Sequence, residues 1–127
     1  MTTEHDNANE DTVRRFCEAF SRRDIDEILG FFAPDAVYHN MPFPPAVGTE
    51  AIRETLQMFV PGSPAIEFEM RNVASRGPVV LTERVDHMSI NGAPVHVPVA
   101  GVFELQDGLI TAWRDYFDSQ AFLGSGS

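Results

Sequence analysis

Hydrophobic residues in the first half of the chain recur at intervals of three and four, the spacing that places them on one face of an α-helix. Three such stripes predict three helices, carried by Val13, Phe16, Cys17 and Phe20, then by Ile25, Ile28, Leu29 and Phe32, then by Ile52, Leu56 and Phe59. Asp11, Asp24 and Thr49 can cap the starts of these helices. Pro34 and Pro61 are expected to end the second and third, because proline lacks the N–H that a helix interior needs.

Further along the chain the hydrophobic period changes to two, which is typical of β-strands. The predicted strands span residues 36–40, a stretch that begins at 66, and residues 79–90, 95–105 and 109–117. Asn91 with Gly92 and Asp107 with Gly108 favour tight hairpin turns between the last three. Helices followed by such a meander predict an α+β fold, in which a curved, mostly antiparallel sheet wraps over three or four N-terminal helices and encloses an apolar pocket.

Composition and charge narrow the class of protein. With 127 residues, of which 43% are hydrophobic, the chain can build one core and still line an apolar cavity. Its formal charge of −10 at pH 7 repels nucleic acid and anionic lipid. The longest apolar stretches fall short of the roughly 20 residues of a membrane span, and the single cysteine suits a reducing compartment. We therefore expect a cytoplasmic protein without nucleic-acid or membrane partners.

The same patterns predict the domain limits. We expect a single domain over residues 11–122. Residues 1–10 are polar and acidic and show neither a hydrophobic stripe nor a secretory signal, so they are predicted to be disordered. Residues 123–127 end in Gly-Ser repeats and are interpreted as a flexible tail or a linker remnant.

Three of the predicted strands carry candidate residues at a spacing of two, so that the members of each set share one face of the sheet. The sets are Tyr38 with Asn40, Arg84 with Asp86, and Asp115 with its large apolar neighbours Trp113 and Phe117. Two carboxylates and one guanidinium in an apolar cavity carry a net charge of −1, and one proton makes them neutral. Burial therefore predicts one aspartic acid that stays protonated near pH 7, far above its reference pKa of about 3.9, beside one carboxylate. Such a pair suits a reaction that removes one proton and delivers another.

Three segments in this order resemble the limonene epoxide hydrolases. They are Val-Tyr-His-Asn-Met-Pro at residues 37–42, Arg-Val-Asp at residues 84–86 and Trp-Arg-Asp-Tyr-Phe-Asp at residues 113–118. A proline-rich loop between Asn40 and Gly48 also matches, and the resemblance covers residues 11–122. It implies a cystatin-like cone, as in ketosteroid isomerase, built around a deep apolar pocket. It also implies a homodimer that uses no cofactor and no metal.

The resemblance implies a role for each polar residue. Asp86 is the general base that deprotonates a water molecule, which Tyr38 and Asn40 also hold. Asp115 is the general acid that protonates the epoxide oxygen, and Arg84 bridges the two aspartates. Water then adds in one step to a small, mostly apolar epoxide, cyclic ones included, and gives a vicinal diol without a covalent intermediate. By the same similarity the substrate contacts Phe59, Met88, Val97, Val99 and Phe117. Trp113 is either a further pocket wall or core, and we retain it as a substrate-binding candidate.

Simpler interpretations exist for several of these residues. Arg84 and Asp86 could form an ordinary surface ion pair, and Asp118 could replace Asp115 if the strand register slips. Cys17 on its apolar stripe is expected in the core. A metal site is disfavoured because no pair among His39, His87 and His96 has the ligand spacing of a helical site. Two other functions use the implied fold: proton transfer on a ketone or polyketide, as in ketosteroid isomerase and SnoaL-like cyclases, and ligand binding without catalysis.

Overall fold

A computed structural model describes residues 3–120, in which three helices pack on one face of a six-stranded sheet. The helices are α1 (Thr3–Ala19), α2 (Ile25–Leu29) and α3 (Thr49–Phe59), with a 3₁₀ turn at Phe20–Arg22. The strands are β1 (Phe32–Asn40), β2 (Ala46–Val47), β3 (Glu67–Arg76), β4 (Val79–Ile90), β5 (Ala93–Gln106) and β6 (Leu109–Tyr116). Their spatial order is β2-β1-β6-β5-β4-β3, and the β1–β6 pair is parallel while the others are antiparallel. The predicted α+β fold, with a curved and mostly antiparallel sheet, is confirmed.

The core and the cavity occupy different halves of the same sheet. The apolar stripe of α1 is buried, and the Phe16 ring meets the rings of Phe103 and Trp113 edge-on. These contacts fill the half of β5 and β6 that lies nearest the turn between them. The other half of β5 carries Val97 and Val99, which belong to a separate apolar cluster. Helix α1 thus closes one part of the concave face, and the other part lines a cavity together with α3. Within residues 3–120 no helix is long and apolar enough to cross a membrane.

The first helix begins earlier than its hydrophobic stripe. It starts at Thr3 rather than at Asp11, so the predicted disorder of residues 1–10 is wrong for residues 3–10. Contacts with the β3–β4 hairpin explain the extension, because Asn9 donates to the Gly77 carbonyl and Glu10 accepts from the Ser75 hydroxyl. The tail predicted at residues 123–127 lies outside the described residues.

The α2–β1 boundary also differs from the prediction. Helix α2 ends at Leu29, so it stops before Pro34, which was predicted to end it. Phe32, which was predicted on the helix, belongs to β1, as does Pro34. Pro34 lies where the β1–β6 register is irregular, between Phe32 and Val37, so its missing N–H interrupts no regular ladder. At the start of α3 the N-cap is Gly48 and not Thr49, whose hydroxyl donates to the Pro34 carbonyl.

Candidate active site

Strand register brings the predicted polar residues together on the concave face of the sheet. In the parallel β1–β6 pair, Tyr38 stands beside Trp113 and Asn40 beside Asp115. On β4, Arg84 and Asp86 are two residues apart and share that face. Strand β5 lies between β4 and β6, so Arg84 must reach across one strand to touch Asp115.

Arg84 makes this reach and binds both carboxyl groups. Its Nε and Nη2 donate to the two oxygens of Asp86 at 3.0 and 2.9 Å, and its Nη2 and Nη1 donate to Asp115 Oδ2 and Oδ1 at 2.8 and 3.2 Å. The exposed fractions of the three side chains are 0% for Arg84, 7% for Asp86 and 5% for Asp115. The alternative of a surface ion pair is therefore wrong. Asp118 is exposed and caps the Gln120 N–H, so it does not replace Asp115.

Gly101 on β5 leaves the space through which the Arg84 side chain passes. It pairs with Asp115 on one side and with Thr82 on the other. A Cβ atom at position 101 would lie 2.5 Å from Arg84 Nη1 and 2.8 Å from Asp115 Oδ1, closer than real Cβ contacts. Thr82 accepts a hydrogen bond from Arg84 Nη1 at 3.3 Å. Sequence reasoning missed Gly101, although a glycine inside a strand often marks a close approach.

Trp113 lies behind the cavity wall and does not line it. Its side chain is fully buried, and Tyr38 covers it with a parallel ring 4.1 Å away between centroids. Its indole Nε1–H donates to Asp115 Oδ1 at 2.6 Å. The prediction that Trp113 binds substrate is therefore wrong, because the parallel pairing with β1 places the Tyr38 ring between the indole and the cavity.

Burial shifts the pKa of Asp86, Arg84 and Tyr38. It raises the pKa of Asp86, and the Arg84 charge partly offsets this rise while the Asp115 charge adds to it. Burial lowers the pKa of Arg84, but the two carboxylates more than compensate, so the guanidinium stays charged. Burial also raises the pKa of Tyr38, which is a neutral phenol near pH 7. Behind them, burial raises the pKa of the Cys17 thiol to about 12, as suits a core position.

The cavity in front of the cluster has a volume of about 540 Å³ and mostly apolar walls. Four of its polar lining residues, Asp86, Asp115, Tyr38 and Asn40, lie together on the sheet, whereas Thr55 lies on α3. The structure places five predicted residues in the walls, and their role in substrate binding stays a prediction: Phe59, Met88, Val97, Val99 and Phe117. Sequence reasoning missed seven other lining residues: Phe43, Pro44, Ala46, Thr55, Met58, Phe68 and Ile90. On α3, Thr55 stands three residues before Met58 and four before the predicted Phe59, a spacing that could have indicated a shared face.

The histidines considered for a metal lie away from this cavity. His87 Nε2 is 2.8 Å from Glu69 Oε1, and His87 Nδ1 is 2.7 Å from His96 Nδ1. In residues 3–120, no three His, Cys, Asp or Glu side chains are arranged to hold one metal ion. In the cluster itself, the guanidinium of Arg84 fills the position between the two carboxyl groups.

Sequence comparison places the chain in a family. The profile of the limonene-1,2-epoxide hydrolase catalytic domain matches residues 7–126. The chain belongs to the limonene-1,2-epoxide hydrolase family. The predicted resemblance to limonene epoxide hydrolases is thus confirmed. This family member is 37% identical over 106 residues to epoxide hydrolase EphG of Mycobacterium tuberculosis, an alignment that spans 84% of the chain and 70% of EphG.

Solved structures agree with this assignment and show how widely the fold is used. A limonene epoxide hydrolase-like enzyme of Mycobacterium tuberculosis superimposes with a TM-score of 0.82 and 32% identity, over 94% of this family member and 90% of the other chain. A protein proposed to be a polyketide cyclase, from Xanthomonas campestris pv. campestris, superimposes with a TM-score of 0.80 and 25% identity, over 95% and 98% of the two chains. Because such different proteins share the fold, the reaction must be argued from the site.

Proposed function

We propose that this protein is an epoxide hydrolase that adds water to an apolar epoxide, cyclic ones included, and releases a vicinal diol in one step without cofactor or metal. The observation that supports this most is the double bridge from Arg84 to Asp86 and Asp115 at the inner end of an apolar cavity. The family match and the relationship to EphG point to the same reaction.

The charge balance of the bridge favours one proton on the carboxyl pair. With both carboxyl groups ionised the buried cluster would carry −1, whereas one proton makes it neutral. Burial and the neighbouring carboxylate both raise the pKa of Asp86, and the charge and hydrogen bonds of Arg84 partly offset this rise. The assignment of base and acid within the pair rests on the similarity to the limonene epoxide hydrolases, which implies that Asp86 is the base. We therefore assign the proton to Asp115 before the reaction, so that Asp115 is the acid.

In the proposed step, Asp86 removes a proton from a water molecule that Tyr38 and Asn40 also hold. The water oxygen bonds to one epoxide carbon while the bond from that carbon to the ring oxygen breaks. Asp115 delivers its proton to the ring oxygen, which becomes the second hydroxyl of the diol. The proton taken up by Asp86 then returns to Asp115, so the pair holds one proton before and after each turnover.

Arg84 stabilises the transfer because its charge faces both carboxyl groups at every stage. The negative charge moves from Asp86 to Asp115 as the protons move. Both carboxyl groups already accept hydrogen bonds from the guanidinium. Prearranged donors of this kind lower a barrier more than donors that must reorient.

The test is a single turnover in water labelled with heavy oxygen, with enzyme in excess over cyclohexene oxide or limonene oxide and a chelator present. We expect labelled diol in the first turnover, because the oxygen comes directly from water. A covalent ester route would first deliver an unlabelled oxygen from the protein. Asp86→Asn, Asp115→Asn and Arg84→Ala should each lower kcat by roughly 100-fold or more.

Asp118→Asn is the matched control, because this exposed carboxylate lies on the same segment but outside the bridge. It should retain full activity. Absence of diol with the folded wild-type protein, or undiminished turnover by Asp86→Asn, would reject the proposal. Turnover of an enolisable ketone that survives loss of one carboxyl group would support the proton-transfer alternative instead.

A further inference from the structure

We propose that Trp113 is a positioning residue of this site, which orients the acid Asp115 and holds it in register with the water-binding Tyr38. The inference rests on the proposed function. Trp113 contacts two of the five residues assigned to the reaction, Asp115 and Tyr38, from the side away from the cavity, although it has no access to the substrate itself. The Arg84 guanidinium carbon also lies 5.9 Å from the centroid of the Trp113 ring.

The indole ring is fixed on both faces. Strands β1 and β5 flank β6, so Tyr38 and Phe103 stack on opposite sides of the Trp113 ring, with interplanar angles of 5° and 14°. Phe16 meets its edge at 4.9 Å between centroids. A ring held in this way cannot rotate without displacing the Tyr38 phenol, and its N–H direction is therefore fixed as well.

The fixed N–H decides which oxygen of Asp115 can carry the reactive proton. Asp115 Oδ1 accepts from Trp113 Nε1 at 2.6 Å and from Arg84 Nη1 at 3.2 Å, which occupies both of its lone pairs. Oδ2 accepts from Arg84 Nη2 alone among the donors in residues 3–120. The free lone pair is on Oδ2, so this oxygen holds the proton that is delivered to the epoxide.

The same hydrogen bond also stabilises the product of proton delivery. When Asp115 gives up its proton, negative charge develops on its carboxyl group, and a hydrogen bond to a charged acceptor is stronger than one to a neutral acceptor. The indole N–H can only donate, so it never competes for the proton. Its contribution is therefore larger in the transition state than in the substrate complex, and it should appear in kcat rather than in KM.

Two variants remove the N–H while they keep an aromatic ring between Tyr38 and Phe103. One is Trp113→Phe, and the other replaces Trp113 by β-(3-benzothienyl)alanine, in which sulfur takes the place of the N–H at nearly unchanged shape. The control is Phe103→Leu, which disturbs the other face of the indole but touches no reacting group. Thermal unfolding of each variant identifies the folded ones, and the sulfur isostere preserves the packing if the Phe variant does not fold.

The substrates are propylene oxide and trifluoropropylene oxide, because the trifluoromethyl group stabilises the alkoxide and makes ring opening less dependent on the acid. Both Trp113 variants should lose roughly 100-fold in kcat on propylene oxide, with KM nearly unchanged, and much less on the fluorinated substrate. Phe103→Leu should affect both substrates equally. The positioning role would be overturned if the sulfur isostere lost kcat equally on both substrates, or lost none. Absence of diol with the wild-type protein would instead overturn the proposed function.

Discussion

The two ends of the cavity are built in different ways. At the inner end, Arg84, Asp86 and Asp115 are almost completely buried and are joined by hydrogen bonds of 2.8–3.2 Å. At the mouth, Phe43 and Met58 line the cavity with exposed fractions of 50% and 82%, and both side chains are apolar. The side chains of the inner end are thus held by directional bonds, and the side chains at the mouth by apolar contacts.

Because of this difference, we expect the inner end to carry out the reaction and the mouth to select the substrate. Charges that must exchange protons need fixed distances, and the inner end provides them through Arg84. The mouth offers the flexible side chain of Met58 and the ring of Phe43, which can adapt to apolar groups of several shapes. We therefore expect changes at the inner end to alter kcat and changes at the mouth to alter KM.

The largest expected effect comes from closing the space above β5 with Gly101→Ala. Gly101 does not have a positive φ, so alanine fits the backbone, but its methyl group must displace Arg84 or Asp115. The bridge should lose its hydrogen bonds to one carboxyl group, and kcat should fall by roughly 100-fold or more. Steady-state kinetics on cyclohexene oxide measure this effect.

Gly62→Ala is the control for glycine replacement itself, because a Cβ atom there meets nothing within 4 Å. It should leave kcat unchanged. If Gly101→Ala folded with full activity, the fixed distances between Arg84 and the two carboxyl groups would not matter for the reaction. The inner end and the mouth would then not differ in how they affect kcat.

A smaller effect is expected in the pH dependence. The base Asp86 is active only when ionised, and burial raises its pKa. The acidic limb of the kcat/KM profile should therefore lie at a higher pH than the value of about 3.9 for an ordinary aspartate. Arg84→Lys should move the limb further upward, because a lysine cannot reproduce the hydrogen bonds with which Arg84 lowers the pKa of Asp86. An acidic limb near pH 4 in the wild-type protein would contradict the assignment of Asp86 as the base.

The sequence predicted the inner end better than the surroundings that support it. Alternation with period two is a local property, so the shared face of Arg84 and Asp86 could be derived from spacing alone. The contact of Asp115 with Arg84 depends on the space at Gly101 in the strand between them, and the position of Trp113 depends on which strand runs beside β6. The sequence does not encode strand order in any local pattern, so the parallel pairing that places Tyr38 in front of Trp113 could not be predicted.

The helix boundaries failed for a related reason. Propensity and proline position describe a segment on its own, whereas tertiary contacts decided its limits here. The helix begins before its apolar stripe, and Asn9 and Glu10 in this first part bind the β3–β4 hairpin. Pro34 lies in β1 because an irregular stretch of the ladder accepts it. The mouth was missed for the same reason, since α3 and the proline-rich loop come together only in the folded chain.

The smallest effect is expected at the mouth, from Met58→Ala and Phe43→Ala. Both side chains are largely exposed without substrate, so their removal costs little stability. A bulky epoxide such as limonene oxide covers them, and each lost contact should raise KM a few-fold, at about 25 cal/mol per Å² of apolar surface. Cyclohexene oxide is smaller and should be affected less. Val47→Ala is the control, because Val47 is 60% exposed but does not line the cavity. A fall in kcat with KM unchanged would show that the mouth takes part in the chemistry. Substrate recognition and proton transfer would then not belong to different ends of the cavity.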